Sequence, residues 1–372
     1  MKKTVTALGL AASLLTGYAH ADSPVTPVPH LNHVFVIMME NRAYDQVIGN
    51  TDAPFINEWA QSANLATNYY GVGHPSLTNY LELVGGSNFG ITNDNAPDWH
   101  GANPMPNLNE PIAATGTDLE TPAAIAPFGV DIPATTFVGK TIADQLVAAH
   151  KSWKSYQESL PDSGADNVNY SDGDFSNLSN LSNVAALYAV KHNPFVYFAN
   201  VQENTNPHNG LNNAVGFDGL HGLYADLRSG RVPTLSFIAP NQCHDMHGVG
   251  NSTAFCTYST STLAQMSDAA LKKIVTAIKG SPAWKYGNNA IVAVWDENDF
   301  GPEPNRVVAI VDTSYGVHGV TSNTPYSHFS MLKTLEAGFG LPCLNHSCDS
   351  NVNEMDDMFR AQRSRSRSRH DD

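Results

Sequence analysis

Short, wholly apolar runs separated by longer amphipathic stretches constrain this sequence more than any other feature. The run VFVIMM at residues 34–39 contains no polar side chain. A strand this apolar has to be buried on both faces, which is typical of a parallel sheet covered by helices on either side. The pattern therefore predicts an α/β fold with a mainly parallel central sheet sandwiched by helices.

The predicted elements alternate along the chain without an internal repeat or a clean linker, so we expect one domain at residues 22–358. The predicted strands lie at residues 33–39, 195–199, 235–238, 290–295 and 307–311. The predicted helices lie at residues 54–63, 141–149, 178–190, 263–279 and 328–339. Residues 92–134 are rich in Pro, Asn, Gly and Ala and show no period, which predicts a long insertion. Residues 359–372 form an Arg/Ser-rich tail that we expect to be disordered, with a basic docking arm as the alternative.

The N-terminus has the order of features of a secretory signal. Lys2 and Lys3 precede an apolar run at residues 5–15, and the segment AHA at residues 19–21 places small side chains where a signal peptidase reads. The apolar run is too short to span a bilayer. We expect residues 1–21 to be a signal peptide, with a retained anchor as the alternative. The mature protein is then periplasmic or secreted, without stable membrane insertion.

Charge and cysteine usage narrow the possible partners. The net charge of −15 argues against nucleic-acid binding, which needs a basic surface. An anionic substrate therefore needs positive potential created locally, by a metal ion or by helix N-termini. The four cysteines form two close pairs, which favours two local disulfides in an exported protein. Four cysteines allow three connectivities, and a zinc site is the alternative.

Polar residues follow two of the apolar strands, where oxygen ligands for a cation can gather. Glu40 and Asn41 follow the first strand, and Asp296 and Glu297 follow the strand at 290–295. Adjacent acids at the end of a buried strand are costly unless a cation neutralises them. These residues therefore predict a divalent metal site, although strand ends are often polar without one.

A candidate nucleophile lies in the segment GHPSLTNY at residues 73–80. Pro75 favours an extended approach and a sharp turn, which places Ser76 at the start of a helix. Backbone N–H groups and the helix dipole there favour a bound phosphate and a developing alkoxide. Asn79, one turn later, can direct its amide to the same phosphate. The alternative is that Ser76 is only the helix N-cap.

Three histidines lie near strand ends or at a helix start and can act as acids or phosphate donors. His192 precedes the predicted strand at 195–199, His247 follows the one at 235–238, and His328 opens a predicted helix. The alternative for each is a structural role.

Taken in order, these pieces resemble the bacterial and fungal phosphoesterase family of secreted acid phosphatases and phospholipases C, within the alkaline phosphatase superfamily. The matching stretches cover nearly the whole mature chain and lie at residues 39–45, 74–80, 153–158, 191–194, 240–247 and 296–297. Thr78 departs from the family pattern, in which Pro is common at this place. A complete two-zinc ligand set cannot be traced, so we expect a single metal ion.

The resemblance implies an exported acid phosphatase that hydrolyses phosphate monoesters through a phosphoserine at Ser76. One divalent metal ion would be held by Glu40, Asn41, Asp296 and Glu297. His74 and Asn79 would bind phosphate, and His247 or His192 would protonate the leaving alcohol. The partner is a small phosphorylated substrate and not a nucleic acid. The alternatives are a phosphodiesterase or phospholipase C acting on lipid head groups, and a non-catalytic exported binding protein.

Overall fold

The computed structural model describes residues 28–89, 91, 94, 139–160, 187–202, 206–249, 256, 259–299 and 304–361. Four predictions lie wholly or mostly outside the described residues: the signal peptide at 1–21, the insertion at 92–134, the helix at 178–190 and the tail at 359–372.

One nine-stranded sheet runs through the described part of the chain. Its strands are β1 (His33–Met39), β2 (Asn64–Tyr70), β3 (Trp153–Gln157), β4 (Ala214–Val215), β5 (Leu235–Ala239), β6 (Asn289–Trp295), β7 (Arg306–Thr313), β8 (Thr321–Ser322) and β9 (Tyr326–Ser327). The order is β4-β3-β5-β1-β6-β7-β2-β8, with β9 also paired to β2. Strand β7 runs antiparallel to β6 and β2, and every other pairing is parallel. The predicted mainly parallel sheet is confirmed.

The helices pack in two groups. They are α1 (Tyr44–Val47), α2 (Pro54–Ser62), α3 (Ser76–Gly85), α4 (Ile142–Ala148), α5 (Ala199–Gln202), α6 (Leu223–Ser229), α7 (Thr260–Gly280), α8 (His328–Phe339) and α9 (Asp356–Phe359). Helices α2 and α6 contact α7, whereas α3, α4 and α8 contact one another. Because every residue of β6 is buried, helices have to cover both faces of the sheet, as predicted.

The two central strands bring distant parts of the chain to one edge of the sheet. Strand β1 lies between β5 and β6, and its last residue, Met39, is in register with Trp295, the last residue of β6. Parallel strands end at the same edge of a sheet, and loops that leave this edge build the sites of α/β proteins. Glu40 and Asp296 directly follow these two strands.

The predicted strand at residues 195–199 is wrong. Pro194–Tyr197 form a short 3-10 helix, and α5 follows it. Pro194 fits the first turn of a helix, because its fixed φ suits that turn and its missing N–H is not needed there. A short buried apolar run does not distinguish a strand from a helical segment, which explains the error.

Two disulfides close short loops, as the cysteine spacing predicted. They join Cys243 to Cys256 and Cys343 to Cys348, so these four residues do not form the alternative zinc site. In the described stretches, we find no helix with the length and apolar character needed to cross a membrane.

Candidate active site

Ser76 is the first residue of α3 and directs its side chain away from the helix backbone. The N-cap of α3 is Pro75, whose side chain makes no capping hydrogen bond. The buried Ser76 Oγ instead donates a hydrogen bond to Glu40 Oε2 at 3.0 Å. The N-cap alternative for Ser76 is therefore wrong, and the hydroxyl is joined to the acid that follows β1.

Glu40, Asn41 and Asp296 meet at the shared end of β1 and β6. The Asn41 backbone N–H donates to Asp296 Oδ1 at 2.8 Å. The Oδ1 atom of Asn41 is buried and has no hydrogen-bond partner among the described residues. A buried amide oxygen without a donor is costly, so this position suits an added ligand.

The pKa values of the acids respond to two opposing influences. Burial, followed by the charges of Glu40 and Glu297, raises the pKa of Asp296 well above 3.8. Burial also raises the pKa of Glu297, to about 7. Burial would raise the pKa of Glu40 as well, but the charge and hydrogen bond of His192 hold it well below its usual value. Among the described residues, Glu40 therefore has a cationic partner and Asp296 forms no ion pair.

Glu297, His74 and Asn79 contact one another beside the turn that leads into α3. Glu297 Oε2 lies 2.8 Å from His74 Nδ1 and accepts a hydrogen bond from Asn79 Nδ2 at 3.2 Å. Asn79 Oδ1 also accepts from the backbone N–H groups of Val72 and Gly73, at 2.8 and 3.0 Å. Asn79 thus holds the turn before Ser76 in place and connects it to the acid after β6.

His192 lies between two carboxylates. Its Nε2 is 3.0 Å from Glu40 Oε1, its Nδ1 is 3.4 Å from Asp245 Oδ2, and its ring stacks on Tyr80 at 5.2 Å. Burial alone would lower the pKa of His192, but Glu40 and Asp245 raise it to about 9. Both ring nitrogens therefore carry protons at neutral pH, and the ring is a cation.

His247 differs from His192 in being neutral at neutral pH. Its Nδ1 lies 2.8 Å from the Gly248 carbonyl oxygen, and its Nε2 lies 3.2 Å from Lys191 Nζ. A proton on Nδ1 leaves Nε2 as the acceptor for the lysine. Burial and then the Lys191 charge lower the pKa of His247 below 6.5. His247 is therefore neutral at neutral pH and becomes an acid only at lower pH.

Three loops at this edge each hold a non-glycine residue in the left-handed region. The φ angles are 58° at Asn41, 90° at Met246 and 63° at Asp299. This conformation is uncommon for side chains other than glycine and is concentrated at functional sites. Met246 separates Asp245 from His247, so the turn at Met246 sets the positions of both residues.

Three residues of this cluster were missed by the sequence analysis as site residues: Asp94, Lys191 and Asp245. Lys191 directly precedes His192, and Asp245 lies two residues before His247, so proximity in the sequence was an available signal. Asp94 lies in the aperiodic region and gave no signal. His328, by contrast, packs behind the site, with Nε2 2.8 Å from the Asp296 carbonyl oxygen. Burial lowers its pKa to about 4, so the ring is neutral.

The oxygen atoms at this edge of the sheet suit the expected divalent metal. Among the described residues, no group of three His, Cys, Asp or Glu side chains is arranged to hold a metal ion. A cation site at this edge has to include other oxygens, and the orphaned Asn41 Oδ1 and the Ser76 hydroxyl are at hand. Carboxylate, amide and hydroxyl oxygens suit a hard divalent cation, so the residues present fit one.

Comparisons with known proteins agree on one family. The profile of the phosphoesterase family matches residues 50–342, which is more than half of the chain. The phosphatidylinositol-3-phosphatase of Mycobacterium tuberculosis is 29% identical over 341 residues, covering 90% of this chain and 86% of that protein. An acid phosphatase of Aspergillus fumigatus is 25% identical over 362 residues; the match covers 95% of this chain but 66% of that protein's length.

A solved structure supports the fold. The structure of Ps i-CgsB in complex with k-i-k-neocarrahexaose superposes with a TM-score of 0.51 and 14% sequence identity. The superposition covers 89% of this chain and 76% of that one. At this level of identity the similarity concerns the fold alone.

Proposed function

This chain belongs to the phosphoesterase family, and on that premise we propose that it is an exported, metal-dependent acid phosphatase that acts on phosphate monoesters. Family membership confirms the resemblance and the predicted class of enzyme, a phosphoric-ester hydrolase. The observation that carries the finer proposal is the hydrogen bond from Ser76 Oγ to Glu40 Oε2 at the N-terminus of α3. It joins a hydroxyl nucleophile to the acid after β1, where a bound cation would supply the positive potential that phosphoryl transfer needs.

The proposed metal site consists of Glu40, Asn41 and Asp296, with Glu297 as the fourth expected ligand. Asp296 is buried beside Glu40 and forms no ion pair in the described part of the chain, which supports this choice. A bound divalent cation would neutralise these acids and lower the pKa of the Ser76 hydroxyl.

Ser76 is the proposed nucleophile. The hydrogen bond to Glu40 holds the Ser76 hydroxyl in place. A bound cation would lower the pKa of this hydroxyl, so that its proton would be lost to solvent and its oxygen would attack phosphorus. The bond between phosphorus and the alcohol oxygen breaks, and the alcohol takes a proton from a histidine. Water then attacks the phosphoserine and gives a proton back to the histidine, which releases inorganic phosphate and restores the Ser76 oxygen.

His247 is the favoured acid of the two histidines considered. His192 is buried between two carboxylates that stabilise its proton, so it serves better as a fixed positive charge. His247 is partly exposed, and its lowered pKa makes its proton easy to give up. An acid that forms only at lower pH fits an acidic optimum. Asn79 and His74 remain the residues proposed to bind the substrate phosphate. Both contact Glu297.

Monoesters are the proposed substrate class. Both curated relatives described above are named as phosphatases, which supports a monoester over the diester of a phospholipase C. Export to an oxidising compartment, the periplasm or the exterior, is supported by the two disulfides.

The test compares hydrolysis of p-nitrophenyl phosphate with that of bis-p-nitrophenyl phosphate across pH, with EDTA treatment and the Ser76→Ala variant as controls. We expect monoester turnover at acidic pH that EDTA and the substitution both abolish. Preference for the diester would move the protein to the phosphodiesterase alternative. Turnover that survives in Ser76→Ala would reject the nucleophile, and no turnover at all would favour the binding-protein alternative.

A further inference from the structure

Two positively polarised donors lie beside the nucleophile, and both are occupied by one carboxylate. The Leu77 backbone N–H donates to Asp94 Oδ1 at 3.0 Å, and Lys191 Nζ donates to Asp94 Oδ2 at 2.9 Å. Each oxygen of Asp94 thus has its own donor. The pairing resembles the way a phosphoryl group spreads its oxygens over separate donors.

The Leu77 N–H lies next to the position that a phosphoryl group attacked by Ser76 would occupy. Leu77 follows Ser76 directly and is in the first turn of α3, where backbone N–H groups have no acceptor within the helix. Four covalent bonds separate Ser76 Oγ from Leu77 N, so the two atoms are roughly 3–4 Å apart. A phosphoryl group attacked by Ser76 therefore has an oxygen within hydrogen-bond reach of this N–H.

Lys191 supplies a positive charge to the second oxygen of Asp94, on the side away from Leu77. Its side chain is about nine-tenths buried, and burial alone would lower its pKa. The charges of Asp94 and Glu40 raise the pKa instead, so the ammonium persists. Lys191 also contacts His247 Nε2, the proposed acid, at 3.2 Å. An anion held by Leu77 and Lys191 thus lies next to both the nucleophile and the group that would protonate the leaving alcohol.

We infer that Asp94 is a built-in competitor of the phosphoryl group, holding the Leu77 N–H and the Lys191 ammonium until a phosphate displaces its carboxylate. The inference rests on the proposed function, because it assigns these donors to the phosphate attacked by Ser76. A phosphate dianion carries more charge than a carboxylate and replaces it on the same donors. The competitor weakens the binding of substrate and product alike. Its chemical consequence is a higher KM together with faster release of inorganic phosphate.

The test measures the Kd for inorganic phosphate by titration calorimetry on the full chain as purified, and KM and kcat for p-nitrophenyl phosphate. We expect Asp94→Asn to lower the phosphate Kd and the KM about tenfold without raising kcat, because a neutral amide competes poorly for an ammonium. Lys191→Gln should raise the Kd about tenfold. In the double variant Asp94→Asn/Lys191→Gln the gain from Asp94→Asn should shrink to a few-fold, since the Lys191 ammonium is gone and only the Leu77 N–H remains contested.

The matched control is Asp52→Asn. Asp52 accepts hydrogen bonds from Ser261 and Gln265 at 2.6 and 2.8 Å and lies in the loop before α2. The phosphate Kd of the Asp52→Asn protein should equal that of the parent. An unchanged or weaker phosphate affinity in Asp94→Asn would overturn the inference and make Asp94 a positioning residue for Lys191.

Hydrolysis that depends on Ser76, with no change of phosphate Kd in Asp94→Asn, rejects the competitor and keeps the enzyme. Tighter phosphate binding in Asp94→Asn without any hydrolysis by the parent keeps the competitor and rejects the enzyme.

Discussion

The two halves of the candidate active site handle buried charge in opposite ways. The acidic half, at the ends of β1 and β6, consists of Glu40, Asn41, Asp296 and Glu297. The basic half, on the loops after β3 and β5, consists of Lys191, His192 and His247. Each cation of the basic half has a carboxylate partner, whereas Asp296 forms no ion pair with any residue that the structure describes.

This difference shows which ligand each half lacks. A buried acid without a partner is destabilising until a cation arrives, because desolvation is not repaid. A paired lysine is stable in the resting protein, but an incoming anion has to displace its partner. Under the proposed function, the acidic half would gain a metal ion, whereas the basic half would exchange the Asp94 carboxylate for a phosphate.

The largest expected effect comes from breaking the acidic half with Asp296→Asn. Activity should fall by a factor of about 1,000 or more, since a proposed metal ligand is lost. In EDTA, the free energy of unfolding should rise by about 1 kcal/mol, because an unpaired buried charge is removed. Urea unfolding followed by circular dichroism measures the second effect.

The control for that comparison is Asp226→Asn. Asp226 is also buried, but its Oδ2 accepts from Lys154 Nζ at 2.6 Å and from Tyr156 Oη at 2.7 Å. Its replacement should lower the free energy of unfolding by about 2 kcal/mol, because a paired charge loses its partner. An Asp296→Asn protein that is less stable than the parent in EDTA would show that Asp296 is compensated after all.

The sequence predicted the acidic half better than the basic half. Glu40 and Asp296 follow uninterrupted apolar strands, and parallel strands bring such ends together without further information. The basic half depends on contacts that only the folded chain makes. Asp94 reaches Lys191 across 97 positions of sequence, and no local pattern encodes that pair.

The fold shows the same limit. The apolar run of β1 and the amphipathic pattern of α8 gave both elements with their observed bounds. Strands β2 and β3 were not predicted, because polar side chains interrupt their apolar residues. In β3, Ser155 and Gln157 are buried and satisfied by partners such as Asn193 Oδ1 and the His192 carbonyl oxygen. These hydrogen-bond partners are brought close only by the tertiary structure, so the sequence of β3 shows no alternation of apolar and polar residues.

A smaller effect should come from the basic half, with His247→Gln. The parent should lose activity as the pH rises through the lowered pKa of His247, because the protonated acid disappears; the variant should lack that limb. We expect kcat to fall about 100-fold on glycerol phosphate, whose alkoxide needs a proton, and much less on p-nitrophenyl phosphate. Steady-state rates from pH 4 to 8, on the order of one point per half unit, measure both.

His244→Gln is the matched control in the same loop. His244 Nδ1 lies 2.8 Å from Glu158 Oε2, away from Lys191, so its loss should leave the pH profile unchanged. Equal losses on the two substrates in His247→Gln would contradict the assignment of His247 as the acid.

The smallest effect on activity is expected from removing a disulfide, and it should differ between the two disulfides. Cys243–Cys256 anchors the loop that carries Asp245 and His247, so the Cys243→Ser/Cys256→Ser protein should lose roughly tenfold in kcat/KM as that loop loosens. Cys343→Ser/Cys348→Ser removes a bridge across only 5 positions in the turn after α8 and should keep its kcat/KM. Similar losses in both variants would mean that the bridges act through global stability, which thermal unfolding would reveal.

The register between β1 and β6 has a consequence for how activity appears during folding. His33 pairs with Asn289, so the two strand ends that carry Glu40 and Asp296 join only after most of the chain has been made. Contacts so distant in sequence form late and slowly, since a long loop has to close first. A nascent or partly folded chain cannot assemble the acids around Ser76. Because the proposed mechanism needs both Glu40 and Asp296, phosphatase activity regained in a refolding experiment would report that β1 and β6 have paired.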